Sequence, residues 1–480
     1  MEFHVSLVGR KSLTREIYRQ LRGAILEGRL RPRDPLPPTR ELAERLGVAR
    51  NTVTLAYDRL AGEGFVTSRV GAGTFVSSHI AVAPAPSRTK REEGALRPRT
   101  MWDALPLPPA FERTAGFDFR VGLPDSTLFP HKAWRRLTAR ALRADSVTRV
   151  VYGHAAGHLP LRAAIARHIA VSRGVVTAAD NITVTNGTQQ ALDIVARVLV
   201  APRETVAIEE PCYPLPRQLF ESHGARVVGV PVDSEGLVVD ALPRRARLVY
   251  VTPSHQYPLG VAMSLPRRLA LLAWAERHGV AIVEDDYDSE FRFHDRPIEP
   301  LHLLDTAGRV IYVGTFSKTL LPTLRLGFVV TPASLTTAVQ KAKHLADWHT
   351  AQLPQMVLAQ FLDEGGFARH IRKMRSIYRV RHDMITHALT HELANHLDLI
   401  PSTVGLHVAA LARKRSVEAM SAVARRAAAA GVEIQELARV SIATPPRAGL
   451  VIGYGAIPTS RVAEGLRRLR ACFESQNRPS

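Results

Sequence analysis

The N-terminal part of the chain repeats apolar residues at the spacing of amphipathic helices. The first such row comprises Leu13, Ile17, Leu21 and Ile25. Two shorter helices are predicted after it, one capped by Thr39 and one beginning near Ala49, with the turn Gly47-Val48 between them. Because two short helices joined by a tight turn are typical of a helix-turn-helix, we expect the last of them to enter the major groove of DNA.

A β-hairpin is predicted directly after these helices. Between Phe65 and Val76, two short β-forming runs flank Gly71-Ala72-Gly73, which places Arg69 near the tip of a wing. The outward positions of the third helix carry polar side chains that can reach phosphates or base edges. They are Arg50, Asn51, Thr52 and Thr54. Helix pairs with a glycine between them also occur in all-α packing, but the wing and the polar cluster favour DNA binding.

From Phe117 onward, apolar strand-like runs alternate with alanine-rich helical runs. This alternation predicts an α/β domain with a mainly parallel sheet. The stretch before it is rich in proline and charge and has no periodicity, so we interpret it as a linker. The predicted organisation is a DNA-binding domain at residues 1–78, a linker at 79–115 and an α/β domain at 116–480.

Composition and charge add a few constraints. A chain of 480 residues exceeds the usual size of one domain, and 46% hydrophobic residues are ample for a large core. The net charge is +20, of which residues 1–115 contribute 19 − 12 = +7, so an anionic partner such as nucleic acid is permitted. The first residues lack the basic-then-apolar pattern of a signal peptide and no apolar run approaches transmembrane length, so we expect neither a signal peptide nor a membrane span. Cys212 and Cys472 suit neither a disulfide framework nor a metal site, so we expect no metal and a reduced, cytoplasmic setting.

Polar residues follow three of the predicted strands, and the first of these sites is a turn that can bind an anion. Asn186-Gly187-Thr188 separates the strand at residues 182–185 from a helix predicted from Gln189 to Val200. A glycine at this point leaves backbone N–H groups free to face an anion at the helix start. Many strand-to-helix turns contain Gly-Thr, so this signal is weak when taken alone.

Acidic residues follow the second strand, at residues 280–283. The sequence there is Glu284-Asp285-Asp286-Tyr287-Asp288. Ligands of parallel sheets bind beyond the carboxyl ends of the strands. A carboxylate at that point can keep a pyridinium nitrogen protonated, and a tyrosine can hydrogen-bond a phenolate oxygen. The alternative is a solvated acidic turn.

An unusual lysine follows the third strand, at residues 310–313. The chain has 56 arginines and only eight lysines, and Lys318 is isolated among arginines. An amine can lose its proton and attack a carbonyl, whereas a guanidinium cannot. Thr315 and Ser317 lie at the same strand end, and Arg325 can grip a phosphate. Together the three strand ends supply what pyridoxal phosphate needs: an amine, an acid for the ring nitrogen and phosphate donors.

The N-terminal segment resembles the GntR-type winged helix-turn-helix. The matching stretches include Arg40-Glu41-Leu42-Ala43, Leu46-Gly47-Val48-Ala49-Arg50-Asn51-Thr52-Val53, Ala56-Tyr57-Asp58-Arg59-Leu60 and Gly71-Ala72-Gly73-Thr74-Phe75-Val76. The resemblance implies DNA contacts by Arg40, Arg50, Thr52 and the wing, here Arg69, Gly71 and Gly73. One departure is the segment at residues 33–38, where the family more usually has a glycine and fewer prolines.

Residues from about 117 to 460 resemble a fold-type-I aminotransferase, which implies a large domain and a smaller C-terminal α/β subdomain. The whole chain resembles the MocR/GabR class of transcriptional regulators. The matching stretches include Asn186-Gly187-Thr188-Gln189-Gln190, Glu209-Glu210-Pro211-Cys212-Tyr213, Thr252-Pro253-Ser254-His255-Gln256, Thr315-Phe316-Ser317-Lys318-Thr319-Leu320 and Leu324-Arg325-Leu326-Gly327.

This resemblance implies a role for each matched residue. It makes Lys318 the lysine of the internal aldimine and Asp285 the partner of the pyridine nitrogen. Tyr287 would hydrogen-bond the ring oxygen, Tyr213 would stack on the ring, and Tyr152 would reach the phosphate bound in the partner subunit. The phosphate ligands would be Gly187, Thr188, Thr315, Ser317 and Arg325. The position beside the ring, usually asparagine in aminotransferases, would be taken by Gln256 or, alternatively, His255.

The effector pocket departs from the aminotransferase pattern. The strand at residues 449–455 aligns without the arginine that binds a substrate carboxylate in aminotransferases, and Arg439 or Arg447 could substitute from nearby. An amino acid, an amine without a carboxylate, a sulfonate amine and pyridoxal phosphate itself therefore all stay open as effectors. His407 is a further candidate for the pocket, although a lone histidine is more often structural.

Together these features predict a transcriptional regulator that binds double-stranded DNA and senses an amine through an external aldimine of pyridoxal phosphate. The resemblance also implies a homodimer with its subunits packed head-to-tail and, at most, vestigial transaminase activity. One alternative is an active aminotransferase with an incidental DNA-binding module, and Lys318 cannot separate the two. Another is a DNA-binding protein whose second domain has lost its cofactor, which the joint retention of Asp285, Tyr287, Lys318 and Arg325 argues against.

Overall fold

A computed structural model of the chain describes residues 12–69, 73–78, 97–105, 116–143, 152–293, 299–441 and 446–474. The fold divides into two compact units, residues 1–98 and residues 99–480. The division falls within the stretch that the sequence predicts to be a linker.

The first unit consists of three helices and a small antiparallel sheet. Its elements are α1 (Leu13–Leu26), β1 (Pro35–Leu36), α2 (Thr39–Leu46), α3 (Arg50–Gly62), β2 (Val66–Arg69) and β3 (Gly73–Val76). The strand order is β1-β3-β2, and the hairpin of β2 and β3 is the predicted wing. Ile17 and Leu21 of α1 pack with Val53 and Leu60 of α3 in one core. The predicted winged helix-turn-helix is confirmed.

Two details of this unit differ from the prediction. Pro38, not Thr39, is the N-cap of α2, and it makes no side-chain capping bond. Arg33, in the segment where the family more usually has a glycine, adopts a left-handed φ of 73°. Its backbone N–H still donates to the Val76 carbonyl at 2.9 Å. The turn therefore closes onto the wing without the glycine.

The second unit is built around a large, mostly parallel sheet. Its strands are β4 (Phe117–Asp118), β5 (Ile182–Thr185), β6 (Thr205–Glu210), β7 (Arg226–Asp233), β8 (Gly236–Leu237), β9 (Ala246–Val251), β10 (Ala281–Asp286), β11 (Val310–Thr315), β12 (Gly327–Val330), β13 (Leu397–Ile400), β14 (His407–Ala412), β15 (Val432–Glu433), β16 (Gln435–Glu436) and β17 (Gly449–Gly453). Eight of them form one sheet in the order β5-β12-β11-β10-β9-β6-β7-β8, in which β12 and β8 are antiparallel to their neighbours. A four-stranded antiparallel sheet, β13-β14-β17-β16, belongs to a smaller subdomain.

Helices cover both faces of the large sheet. The helices of this unit are α4 (Met101–Ala104), α5 (His131–Ala141), α6 (Leu159–Arg173), α7 (Thr188–Leu199), α8 (Pro214–Ser222), α9 (Leu265–His278), α10 (Leu301–Leu304), α11 (Ala333–Asp347), α12 (Gln352–Asp363), α13 (Gly366–His387), α14 (Val417–Ala429) and α15 (Thr459–Glu474). Val283 of β10 packs in a cluster with α7, whereas its neighbour Ile282 packs in a different cluster with α9. Such alternation is expected for a strand buried on both faces. Within the described residues, no helix is long and apolar enough to cross a membrane.

The three predicted strand ends meet at one edge of this sheet. Asp285 of β10 is in register with Val313 of β11, so these strands end side by side. Gly327 of the antiparallel strand β12 pairs with Thr315 on one side and with Thr185 of β5 on the other. The ends of β5, β10 and β11 therefore face the same side of the sheet, as the sequence predicts.

Candidate functional site

Lys318 follows the end of β11, and its amine is held by a backbone carbonyl. The Nζ atom donates a hydrogen bond to the Gly122 carbonyl oxygen at 2.9 Å. Gly122 has a left-handed φ of 77°, which favours glycine, and a Cβ atom there would lie 2.9 Å from Nζ, so the amine would have to shift away from it. Burial lowers the pKa of the Lys318 ammonium, an effect that Asp288 and Asp285 oppose. The amine is thus shifted toward its neutral, nucleophilic form.

Within the part of the chain that the structure describes, one carboxylate oxygen of Asp285 accepts no hydrogen bond. Its Oδ2 accepts a hydrogen bond from the Tyr250 hydroxyl at 2.7 Å. Its Oδ1 is buried and has no hydrogen-bond partner among the described residues. Burial raises the pKa of this carboxyl to about 7, against the opposing hydrogen bond from Tyr250. A buried oxygen of this kind is suited to an N–H donor from a bound ring.

The neighbouring acids have other partners. Asp286 accepts hydrogen bonds from the Arg173 guanidinium at 2.7 Å and the Tyr312 hydroxyl at 2.6 Å. Glu284 accepts from the backbone N–H groups of Leu301 and His302, at 3.0 and 2.9 Å. All three acids lie on β10 itself and are buried. The alternative of a solvated acidic turn is therefore wrong.

A second part of the edge forms a cradle at the start of α7, which begins at Thr188 rather than at the predicted Gln189. Gly187 precedes this helix with φ 80°, and Arg325 Nη2 donates to the Asn186 carbonyl at 2.6 Å. A Cβ on Gly187 would lie 2.8 Å from Nη2, so the glycine leaves the space that the guanidinium occupies.

Two hydroxyls complete the cradle. Thr315 Oγ1 donates to Ser317 Oγ at 3.1 Å, and the Ser317 backbone N–H donates to Thr315 Oγ1 at 3.2 Å. Free helix N–H groups, a guanidinium and hydroxyls are the donors that bind phosphate in proteins.

Aromatic side chains border the edge on another side. Tyr213 precedes α8, is 37% exposed, and contacts the ring of Tyr257 edge-on with centroids 5.5 Å apart. Gln256 does not offer its amide to the site, because Nε2 donates to the carbonyls of Pro211 and Tyr257 at 2.8 and 2.6 Å. Its Oε1 accepts from the Leu259 N–H at 3.1 Å. Tyr257, which the sequence pattern does not single out, is the residue of this loop that faces Tyr213.

A buried cluster of histidines lies behind Tyr287. The Tyr287 hydroxyl donates to the His255 carbonyl at 2.9 Å, and His255 Nδ1 lies 3.0 Å from the Asp288 carboxylate. His407 of β14 packs against the His255 ring, with centroids 4.4 Å apart, and its Nε2 lies 3.1 Å from the Pro258 carbonyl. Burial lowers the pKa of His407 well below its ordinary value, so the ring is neutral. These contacts join the large sheet to the smaller subdomain.

The predicted effector arginines are exposed. The side chain of Arg439 is 75% exposed and pairs with Glu436 at 2.8 Å. Arg447 is also exposed. Tyr152 is 75% exposed and contacts the ring of Trp348 at a tilt, with centroids 4.0 Å apart. The structure thus places both arginines at the surface, and it leaves Tyr152 accessible.

The candidate DNA-binding residues lie mostly on the surface of the first unit. Arg40, Arg50, Asn51, Arg69 and Gly73 are exposed, Thr52 and Thr54 are half-buried, and Gly71 lies outside the described residues. Arg50 Nε lies 3.4 Å from Thr39 Oγ1, which connects the start of α3 to α2. The Thr54 hydroxyl donates to the Arg50 carbonyl at 3.1 Å, so it is partly committed to the helix itself.

The residues at the sheet edge fit pyridoxal phosphate by their chemistry. The ring nitrogen of that cofactor needs a carboxylate, and Asp285 has a buried oxygen to which no described residue donates. Its phosphate needs anion donors, and the cradle at Gly187 supplies a guanidinium and a helix start. Its aldehyde needs an amine, which Lys318 provides.

Comparisons with known families agree with both units. Residues 13–76 match the family described as "Bacterial regulatory proteins, gntR family", and residues 118–470 match "Aminotransferase class I and II". The α-aminoadipate aminotransferase LysN of Thermus thermophilus, solved with N-(5'-phosphopyridoxyl)-L-leucine, is similar to this chain with a TM-score of 0.68 and 31% identity. That likeness covers 74% of this chain and 92% of that chain. The fold and the site define a DNA-binding domain joined to an aminotransferase domain of a pyridoxal phosphate-dependent family.

Relatives with both domains specify the family further. The probable rhizopine catabolism regulatory protein MocR of Rhizobium meliloti is 39% identical over 96% of this chain and 93% of its own length. The pyridoxine biosynthesis regulator PdxR of Corynebacterium glutamicum is 31% identical over 93% of this chain and 92% of its own length. The chain belongs to the MocR-type transcriptional regulators, in which a gntR-family helix-turn-helix is fused to an aminotransferase-like domain.

Proposed function

We propose that this protein regulates transcription by binding an operator through residues 1–78 and sensing an amine through pyridoxal phosphate held in residues 116–480, with residues 79–115 as the linker. The observation that carries the proposal is the buried oxygen of Asp285, which has no hydrogen-bond partner among the residues that the structure describes, at the edge that also holds Lys318. A buried carboxylate oxygen that accepts no hydrogen bond is unfavourable unless a ligand donates one to it. The membership of the MocR type supports the same conclusion.

The proposed cofactor contacts follow the sheet edge. Asp285 accepts the ring N–H, Tyr213 covers the ring, and Tyr287 with the loop of Gln256 lies beside it. The phosphate is held by Gly187, Thr188, Thr315, Ser317 and Arg325, with Tyr152 donated by the partner subunit. When bound, pyridoxal phosphate supplies an electrophilic carbon with which a primary amine can condense.

The residues of the chain prepare this chemistry before a ligand arrives. Burial favours the neutral amine of Lys318, and the Gly122 carbonyl holds it in one position. An amine that takes the place of Lys318 leaves this side chain free to accept a proton and to change its contacts. The ligand affects transcription only if it binds one DNA-binding arrangement more tightly than another.

We further propose that the protein acts in the cytoplasm as a head-to-tail homodimer. The exposure of Tyr152 supports this arrangement, because a tyrosine that serves the neighbouring subunit has to lie at the surface. The contacts with double-stranded DNA are assigned to Arg40 of α2, to the start of α3 and to the wing. Most of these residues are exposed.

Absorption spectroscopy of the purified protein tests the cofactor assignment. The wild-type protein should take up pyridoxal phosphate with a new absorption band, and borohydride should fix the cofactor to the chain. Lys318→Ala and Lys318→Arg should bind it weakly and release it on dialysis after the same treatment. A wild-type protein that stays colourless after addition of pyridoxal phosphate contradicts the proposal.

A turnover assay separates sensing from catalysis. Given an amino donor and a keto acid, the protein should show at most vestigial transamination. Full turnover at ordinary enzyme rates, about 10 per second, would instead support the alternative of an active aminotransferase.

A further inference from the structure

We infer that the amine recognised by this protein carries no carboxylate and that its remaining polar groups are uncharged, as in an amino alcohol. The inference rests on the proposed function, because it concerns the ligand of the same site. Four observations support it: an apolar wall, the position of the arginines, the acids around the lysine and the neutral polar groups beside the wall.

The wall that the smaller subdomain contributes is apolar. Val451 of β17 is fully buried, in a cluster with Leu259, Leu437 and Val440. Tyr257 is partly buried and packs against the same cluster. This tyrosine also contacts the ring of Tyr213. An apolar cluster therefore lies directly behind the aromatic border of the site.

The arginines near this wall have other partners or face solvent. Arg439 pairs with Glu436 and is 75% exposed, and Arg447 is exposed. Arg120, close in sequence to Gly122, binds Asp118 with two nitrogens at 2.9 and 2.6 Å. Arg325 belongs to the phosphate cradle. Among the described residues, these guanidinium groups leave no charge in place to receive a ligand carboxylate.

The charges around the lysine favour a cation. Asp288 and Asp285 both stabilise the protonated form of Lys318, so they act in the same way on a ligand ammonium that approaches Nζ. A ligand carboxylate at the same depth would meet Asp288, and Arg325, the cation that also acts on Lys318, is assigned to the phosphate cradle. Burying an unpaired charge near like charges is strongly unfavourable.

Neutral hydrogen-bonding groups are present where a second functional group of the ligand would lie. Gln435 of β16 is in register with Val451, and its Nε2 donates to the Tyr257 hydroxyl at 2.7 Å. An amide and a phenol can exchange this bond for one to a ligand hydroxyl, because each group can donate and accept. A hydroxyl suits this position better than a charged group.

A titration with matched amines tests the inference. The protein loaded with pyridoxal phosphate is titrated with 3-aminopropan-1-ol and with 3-aminopropanoate, which differ only in an alcohol against a carboxylate. The change in the cofactor absorption and the shift in melting temperature are followed for each. The alcohol should bind at least about tenfold more tightly, a difference of about 1.4 kcal/mol. Tighter binding of the carboxylate, or equal binding of the two, overturns the inference and leaves the proposed function intact.

The failure of the proposed function has a different signature. If neither compound, and no other primary amine of similar size, changes the cofactor absorption, amine sensing itself is excluded and the inference falls with it. If the alcohol binds but the amino acid does not, the proposed function and the inference about the ligand are both supported.

A gain-of-function variant tests the role of the wall. Val451→Arg should reverse the preference toward 3-aminopropanoate, because it places a guanidinium beside Gln435. Val451→Met adds length without charge, and it should keep the preference for the alcohol. An unchanged preference in a folded Val451→Arg protein contradicts the assignment of the wall. If this variant does not fold, the wild-type titration decides alone.

Discussion

At the scale of single residues, the three acids of β10 show how neighbours decide the role of a carboxylate. Glu284 accepts backbone N–H groups with both of its oxygens, and Asp286 binds the Arg173 guanidinium and the Tyr312 hydroxyl through Oδ2. Among the described residues, Asp285 accepts a side-chain hydrogen bond only from Tyr250. The sequence Glu284-Asp285-Asp286 does not reveal this difference, because it depends on which side chains the adjacent strands bring to each face of the sheet.

The first prediction concerns the pH dependence of stability without cofactor. Burial raises the pKa of Asp285 from 3.8 to about 7. Between these values the folded protein holds a proton that the unfolded chain has lost, so the free energy of unfolding should fall as pH rises from about 4 to about 7. Asp285→Asn cannot titrate and should show a shallower fall in urea unfolding measured across this range.

The test compares the pH slopes of the wild-type protein and of Asp285→Asn, because Glu209 affects stability over the same pH range in both. Its pKa is also raised to about 7 by burial, so it contributes a fall of the same sign to both. Equal slopes for wild type and Asp285→Asn would show that Asp285 does not carry the raised pKa.

A second prediction separates backbone strain from crowding at the lysine. Gly122→Ala should lose about 1–2 kcal/mol to the left-handed backbone and more because its Cβ approaches Nζ of Lys318. Gly279 has φ 68°, and a Cβ atom added there meets nothing within 4 Å. The variant Gly279→Ala should therefore lose only the stability that backbone strain costs. Urea unfolding measures both losses, and only Gly122→Ala should weaken the binding of pyridoxal phosphate. Equal losses with unchanged cofactor binding would contradict the crowding at Nζ.

At the scale of elements, the sequence predicted more than it did for side chains. The strand at residues 182–185 and the ends of β10 and β11 follow from apolar runs and the polar residues after them, and the pairing of Gly327 confirms their meeting. Tyr250 escaped prediction because its contact with Asp285 depends on the register between β9 and β10. The role of Tyr257 was not predicted either, because the conformation of its loop decides that Tyr257, and not Gln256, faces Tyr213.

The third prediction concerns α3 as the recognition helix. Arg50→Ala should weaken operator binding and lower the slope of log affinity against log salt by about 0.9 for each phosphate that the side chain neutralises. Arg15→Ala is the matched control, because it removes an exposed arginine of the same unit from α1 instead. Fluorescence anisotropy at several salt concentrations measures both. Identical effects of the two variants would mean that only the net charge of the unit affects binding, and Arg50 would no longer be assigned to the DNA interface.

At the scale of the whole molecule, the two compact units predict separate responses to the cofactor. All proposed cofactor contacts within the chain lie in residues 99–480. A ligand at 100 times its dissociation constant stabilises the unit that binds it by about 2.7 kcal/mol. Calorimetry should therefore show that pyridoxal phosphate raises the unfolding transition of the second unit and leaves that of the first unchanged.

Lys318→Ala is the control for this experiment and should reduce the shift. A single transition that shifts as a whole would mean that the two units unfold together.

The hydrogen bond from Lys318 to Gly122 has a consequence for the path of a signal. Gly122 lies only six positions after Gly116, where the described part of the second unit resumes after the predicted linker. Its segment is also fixed by the Gly453 N–H, which donates to the Phe119 carbonyl at 2.8 Å. A ligand that draws the lysine away from Gly122 therefore releases one of the anchors of the segment that leads back to the DNA-binding unit. Even fully extended, this segment spans only about 20 Å, so the amine that reacts lies a short stretch of chain away from the point where the predicted linker ends.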